Sequence, residues 1–398
     1  MIKGDPTMRF LTAISATALI AGLSLGSASA QSSVLIEDNI PAAPVNYELE
    51  VLAEGLESPY SVAFLPDEGG FDGDMLVVEK SGELRVFRDD ELLPDPVEGT
   101  APVHFNSQAG FLEVALHPDF EENSKIYLVY AHGDERANGT RLSMATWVPT
   151  ETGGMLEDYE VLFTADPLKQ GSAHYGGRLA FLPDDTMLLT IGDGYTQKDR
   201  APKLDNHFGK IIRLNLDGTV PDDNPFVGQD DAKPEIWSFG HRNPQGLIYD
   251  PASDTVYEHE HGPKGGDEIN IIEPGNHYGW PVITYGIDYS GAVISPFKEM
   301  DGMEQPVMHF VPSIAPSGFT LYRGDKFPEW DGDLFIGALA HEHVRRIDMG
   351  EDGSFGDQQE LFTELGERIR DVRTGPDGHL YVLTDGANGK VIRVKPAR

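Results

Sequence analysis

The chain has 398 residues, enough for a large core, and carries 30 basic against 66 acidic side chains, a net charge of −36. Phosphate recognition rests on Lys and Arg, so this balance argues against nucleic acid as a partner and points to a soluble acidic surface. With no cysteine, thiol catalysis, disulfides, iron–sulfur clusters and Cys-ligated zinc are excluded.

In chain order, Arg9 precedes an apolar run from Phe10 to Leu25 that ends in Ala28-Ser29-Ala30. A basic flank, an apolar core and a small-residue cleavage site make residues 1–30 a secretory signal peptide, with 1–7 as an upstream start. No later stretch is long and apolar enough to span a bilayer. The expectation is an exported, soluble, periplasmic protein. Residues 31–45 read as a polar, Pro-containing lead-in, and 46–398 as one domain.

Within that domain, short runs of β-branched and aromatic residues are broken by Pro-Asp, Asp-Gly and Gly-Asp turns, with no long amphipathic helix. A unit of strand, Pro-Asp-like turn, strand, turn and strand recurs six times, marked by Pro66, Pro118, Pro183, Pro251, Pro328 and Pro376. Six such units predict an all-β, six-bladed β-propeller with four-stranded antiparallel blades. The early strand YELEVLAEG is expected to join the last blade and close the ring. Large loops after the third, fourth and fifth units are expected to crowd one face of the disc and hold the site.

Several residues in those loops have the chemistry of a site. His174, flanked by Gly171, Gly176 and Gly177, reads as an exposed loop histidine able to act as a general base. In GHRNPQG, Arg242 offers a planar five-donor fork, and Asn243 and Gln245 add donor–acceptor amides. The run Glu260 to Asn270 offers carboxylates and Gly-Pro turns that expose carbonyls, which suits Ca²⁺. His259, His261 and His277 lack the spacing of a transition-metal motif. Arg368 and Arg370 stand two apart at a strand start, so both guanidinia project from one face and await an anion. Gln108 lies at the mouth of the second unit.

Taken together, QAGFLEVALHPDF, AHYGGRLAF, GHRNPQG, EHGPKGGDEINIIEPGNHYGWP and RIRDVRTGPDGHLYVLTD resemble, in order and over most of the chain, the soluble pyrroloquinoline quinone (PQQ)-dependent aldose and glucose dehydrogenases. The resemblance implies a six-bladed propeller that oxidises the anomeric carbon of an aldose to a lactone and passes electrons to an external cytochrome or quinone. It implies that His174 takes the anomeric hydroxyl proton. Gln108, His174, Arg242, Asn243, Arg368 and Arg370 would contact PQQ, with Arg242 also at the reacting carbonyl. The carbonyls of Gly262 and Pro263 would ligate a catalytic Ca²⁺, and Glu268 and Tyr278 a second, structural one. Monomer and homodimer both fit.

Two positions depart from the family pattern. Ala338-Leu339-Ala340 stands where the family places a PQQ-binding lysine, for which Arg323 or a histidine is the expected substitute. Ala173 stands where glucose-oxidising members have an aspartate. A cofactor-less glycan- or protein-binding propeller and a calcium-dependent lactonase-type hydrolase are the alternatives.

Overall fold

The computed structural model describes residues 34–36, 46–66, 71–350 and 352–397. The expected signal peptide and most of the lead-in lie outside them. Six sheets are present among these residues. Blade I comprises Pro59–Phe64, Met75–Glu79, Leu84–Arg88 and Glu91–Leu92, and blade II Phe111–Leu116, Lys125–Asp134, Ala137–Pro149 and Gly154–Thr164. Blade III is Leu179–Phe181, Thr186–Ile191, Lys210–Asn215 and Ile236–Phe239; blade IV is Pro244–Asp250, Thr255–Glu260, Asp267–Ile271 and Met308–Phe310. Blade V is Pro316–Leu321, Leu334–Ala338, His343–Met349 and Phe355–Leu361. Blade VI is Ile369–Thr374, Leu380–Thr384 and Gly389–Pro396, completed by the early strand Tyr47–Leu56, which pairs with Gly389–Pro396 and closes the ring as expected. Blade IV departs from the pattern through a fifth strand, Val34–Ile36 from the lead-in, paired parallel to Met308–Phe310.

Each marker proline sits in the connection between the first and second strand of its blade, which explains the recurrence. The second strands of blades I, III, V and VI are buried at every position, because neighbouring blades cover both of their faces. Correspondingly, six apolar clusters each fill one blade–blade junction.

The innermost strands share a second feature. In blades I, II, IV, V and VI the pairing register shifts within the first few residues, at Pro59/Ser61, Phe111/Glu113, Pro244/Gly246, Pro316/Phe319 and Ile369/Asp371. A bulge re-aims a side chain and bends the strand. Here the residues inside it include Tyr60, Gln245 and Arg370, all of which line the cavity described below.

Along the axis, side chains from several blades form a closed ionic plug. Arg178 Nη1 meets Glu113 Oε2 at 3.0 Å and Arg178 Nη2 meets Asp371 Oδ1 at 3.6 Å, while Arg373 bonds both carboxylates at 3.0 Å. Arg178 is 3% exposed and Asp371 0%. Removing one member strands its partner's charge in a dry interior. Arg178→Ala is therefore expected to cost about 3–5 kcal/mol in urea-denaturation experiments, against under ~1 kcal/mol for an exposed arginine.

Candidate active site

First strands begin, and second strands end, on one face of the disc, and the loops there enclose a cavity of about 350 Å³. Gln108, Asn243, Arg368 and Arg370 all line it, joined by Tyr60, Lys80, Gln245 and Asp385. Four of the six expected cofactor residues are thus brought together from blades II, III–IV and VI.

His174 stands immediately behind this wall. Its backbone adopts φ +56°, a left-handed conformation uncommon for a non-glycine residue and typical of constrained sites. Its N–H donates to Gln108 Oε1 at 2.8 Å. The ring is buried rather than exposed as the sequence suggested, at 5%, because Tyr195 packs edge-on against it at 5.1 Å. Nδ1 lies 2.7 Å from Asp193 Oδ1. Asp193 also accepts Trp280 Nε1 at 2.7 Å and the Tyr195 N–H at 2.7 Å. A carboxylate surrounded by donors places the imidazole proton on Nδ1 and leaves the Nε2 lone pair available. Burial lowers the His174 pKa, Arg242 and Lys169 push the same way, and Asp193 opposes them. The ring is consequently neutral, and basic at Nε2, near pH 7.

Arg242 is 4% exposed and pairs with no carboxylate among the described residues. Nη1 donates to the carbonyls of His261 at 2.9 Å and Gly262 at 2.6 Å, its guanidinium lies 5.3 Å from the Trp280 ring centroid, and Nε has no partner among the described residues. Glu260 Oε2 accepts the backbone N–H groups of both Arg242 and Asn243, fixing the turn that presents them. Asn243 Oδ1 in turn accepts Gly176 N–H at 3.3 Å, tying this turn to the His174 loop.

Of the expected calcium residues, Gly262, Glu268 and Tyr278 line one small void of about 10 Å³ beside Arg242. The Gly262 carbonyl already accepts from Arg242 and has one lone pair left. The Tyr278 hydroxyl donates to Ile271 O and accepts the Glu273 N–H, both at 2.8 Å. Pro263 follows Gly262 in the same turn but does not line this void.

Arg368 and Arg370 point to one side, as their spacing predicted. They converge on Asp385, at 3.0 and 3.2 Å. Burial pushes Asp385 up, and the two arginines outweigh it and hold its pKa below the ordinary carboxylate value. Arg370 also lies 4.6 Å from the Tyr60 ring centroid.

The expected substitute for the missing lysine is not Arg323. That residue follows the far end of the strand Pro316–Leu321, on the opposite face, and pairs with Asp250 at 3.5 Å. Among the histidines, His343 is 0% exposed and does not line the cavity, and His261, which does, is kept uncharged by burial. The additional ammonium in the cavity is Lys80, just beyond the strand Met75–Glu79, with Nζ 2.5 Å from Ser107 O. Burial lowers its pKa, and the positive charges of Arg370 and Arg368 lower it further. Lys80, Asp193 and Asp385 were not singled out in the sequence. A basic residue directly after a second strand, and the Gly-Asp-Gly at 192–194, were the available cues.

A propeller whose mouth gathers cations around a cavity, with a carboxylate-oriented neutral imidazole in its wall, has the makings of a base-assisted enzyme for an anionic ligand and a hydroxylic substrate. Comparison specifies the class: the chain belongs to the Glucose / Sorbosone dehydrogenase family, which it matches over residues 56–393. It is 41% identical over 358 residues to aldose sugar dehydrogenase YliI of Escherichia coli, covering 89% of this chain and 94% of that protein. It is 29% identical over 425 residues to quinoprotein glucose dehydrogenase B of Acinetobacter calcoaceticus, covering 86% of each. Among solved structures, the apo-form of the soluble aldose sugar dehydrogenase from Escherichia coli superposes with a TM-score of 0.83 at 39% identity, covering 88% of this chain and all of that one.

Proposed function

We propose that this protein oxidises the anomeric carbon of aldoses to lactones with PQQ as cofactor, in the periplasm, and delivers the electrons to an external acceptor. The observation that carries this reading is the convergence of Lys80, Arg368 and Arg370 on one cavity whose wall holds a neutral, oriented imidazole. The names of the two relatives, an aldose sugar dehydrogenase and a quinoprotein glucose dehydrogenase, agree with it.

PQQ is a planar tricarboxylate, and the donor set suits it. Arg368 and Arg370 present guanidinium edges that can bind carboxylates in pairs. Lys80 supplies the point charge that Ala340 lacks. Arg242, with an unpartnered Nε, and the amides of Gln108 and Asn243 address the polar ring edge. When bound, PQQ would supply an ortho-quinone, the acceptor for the C1 hydrogen leaving as hydride with both electrons of the oxidation. His174 Nε2 removes the C1 hydroxyl proton, and Asp193 stabilises the imidazolium that results. The carbonyls of Gly262 and Pro263 would hold a Ca²⁺ ion acting as a Lewis acid, and Glu268 with the Tyr278 carbonyl a structural one. The lactonase alternative needs open carboxylates on the axis. Those described there, Glu113 and Asp371, are engaged by arginines.

Dye-linked oxidation of an aldose panel by apo-protein with Ca²⁺, before and after PQQ addition, tests this reading. Activity appearing only with PQQ is expected. No activity together with no quinone absorbance change on mixing would leave a propeller that binds ligand without chemistry.

A further inference from the structure

In blade IV, Thr255–Glu260 and Asp267–Ile271 pair with Glu258 opposite Asn270 and Glu260 opposite Glu268. Residues two apart share a sheet face, so these side chains form one polar patch. Leu247, opposite Glu258 on the adjoining strand, packs with Ile211 and Leu188 of blade III, which places the patch inside the blade III–IV junction.

The patch has too much acceptor oxygen for its donors. Glu258 is 0% exposed, Asn270 1% and Glu260 3%. Asn270 Nδ2 donates to Glu258 Oε2 at 3.0 Å, yet Glu258 Oε1 and Asn270 Oδ1 have no partner among the described residues. Among the described residues no Lys or Arg side chain pairs with Glu258, Glu260 or Glu268. Glu260 Oε1 faces only His241 Nδ1, at 3.3 Å, and His241 Nε2 meets Ser238 Oγ at 2.8 Å. Like charges directly opposite in a ladder repel, and a buried carboxylate without a counter-charge costs several kcal/mol. A proton on Glu258 satisfies part of this deficit. A Ca²⁺ at Glu268 would answer the repulsion with Glu260 but leaves the two orphan oxygens, which a second cation held by Glu258 and Asn270 satisfies together.

We propose that a divalent cation is bound inside blade IV by the carboxylates of Glu258 and Glu260, the amide oxygen of Asn270 and the imidazole of His241. The ligand atoms of His241, Glu258 and Glu260 lie within 4.8 Å of one another, the spread that one ion with bonds of about 2.0–2.6 Å can span. Three oxygens and one imidazole suit Mn²⁺ and admit Zn²⁺, whereas Ca²⁺ sites are built from oxygen alone. Ser238 is the hydrogen-bond partner that orients a ligating histidine. None of its ligands is among Gly262, Pro263, Glu268 and Tyr278, the residues given to Ca²⁺ above, and it does not rest on the sugar-oxidation reading. It bears on the active site through Glu260, whose Oε2 holds the backbone of Arg242 and Asn243. The ion braces the turn that carries both residues.

The test uses the full chain without PQQ. Metal content is measured by mass spectrometry as purified and after chelation, and the stripped protein is then titrated singly with Mn²⁺, Zn²⁺ and Ca²⁺ while Tm is followed. One equivalent of Mn²⁺ or Zn²⁺ is expected to bind and raise Tm by about 5 °C at a hundredfold excess over Kd. Glu258→Gln should lose that equivalent and that increment. Asn270→Asp, which keeps the shape and adds a ligand charge, should bind the ion about tenfold more tightly, and it serves if Glu258→Gln does not fold. Failure of the wild type to bind either ion overturns the proposal, as does an equivalent that survives Glu258→Gln. Binding of Ca²⁺ alone, unaffected by Glu258→Gln, assigns the ion to other ligands and overturns it too. So does a wild-type Tm that is indifferent to metal, the behaviour of a protonated Glu258.

Discussion

Replacing His174 with alanine lowers kcat for aldose oxidation by about 10²–10⁴-fold at saturating PQQ, the range that a positioned general base contributes. The expectation follows from how the ring is held. Asp193 fixes the tautomer through Nδ1, Gln108 anchors the backbone, and Tyr195 closes over the ring, so no water or neighbouring side chain can take its place without loss of orientation. The pH profile separates this role from a structural one. Because burial holds the His174 pKa below its ordinary 6.5, protonation inactivates the base only at lower pH. The acid limb of kcat is therefore expected below 6.5, falling tenfold per unit beneath the folded pKa, with a plateau above it. Asp193→Asn removes the one influence raising that pKa and lets an amide N–H face Nδ1, which places the proton on Nε2. Its acid limb moves to still lower pH and kcat drops by a similar factor. A wild-type acid limb above 6.5, or full activity in His174→Ala, removes His174 from the reaction.

The ring architecture was open to sequence reading because it repeats. A Pro-Asp turn between first and second strands must recur once per blade, and the six clusters at the blade junctions require the apolar runs around it. Closure by Tyr47–Leu56 was readable for the same reason, as an unpaired strand at one end of a count that lacked one at the other. Burial of His174 was not. Its glycine neighbours suggested an open loop, whereas the cover comes from Tyr195, and the Asp193 that orients the ring is itself held by Trp280, 87 residues further along the chain. The bulges at Tyr60, Gln245 and Arg370 are one-residue events that depend on the partner strand, so alternation alone cannot place them. Asp193 and Asp385 were two among 66 acidic residues, distinguishable only by what they touch. Arg323 failed as a substitute cation because side-chain charge is visible in sequence, but which end of a blade a residue occupies depends on counting strands from the correct start.

Arg370→Ala is expected to weaken PQQ binding by about 30–1000-fold, a loss of about 2–4 kcal/mol typical of truncating one partner of a buried charge pair. Arg368→Ala should cost about tenfold or less. Both arginines line the cavity and both meet Asp385, so sequence spacing gives them equal claims. Burial decides between them. The Arg370 side chain is 9% exposed and that of Arg368 48%. Water screens the second far more than the first. Arg370 also stacks near Tyr60, which fixes its plane before ligand arrives and lowers the entropy lost on binding. Asp385 sharpens the comparison. It neutralises part of the pair in the free protein, so an incoming carboxylate must share the guanidinia with it. Asp385→Asn leaves the two arginines and Lys80 mutually repelling and uncompensated, and is expected to tighten PQQ binding while lowering the Tm of the apo-protein. Titration of each variant followed by quinone absorbance measures all three constants. Equal losses for Arg368→Ala and Arg370→Ala would show that the cavity binds its anion at the rim, in water, rather than in the interior that Tyr60 and Arg370 define.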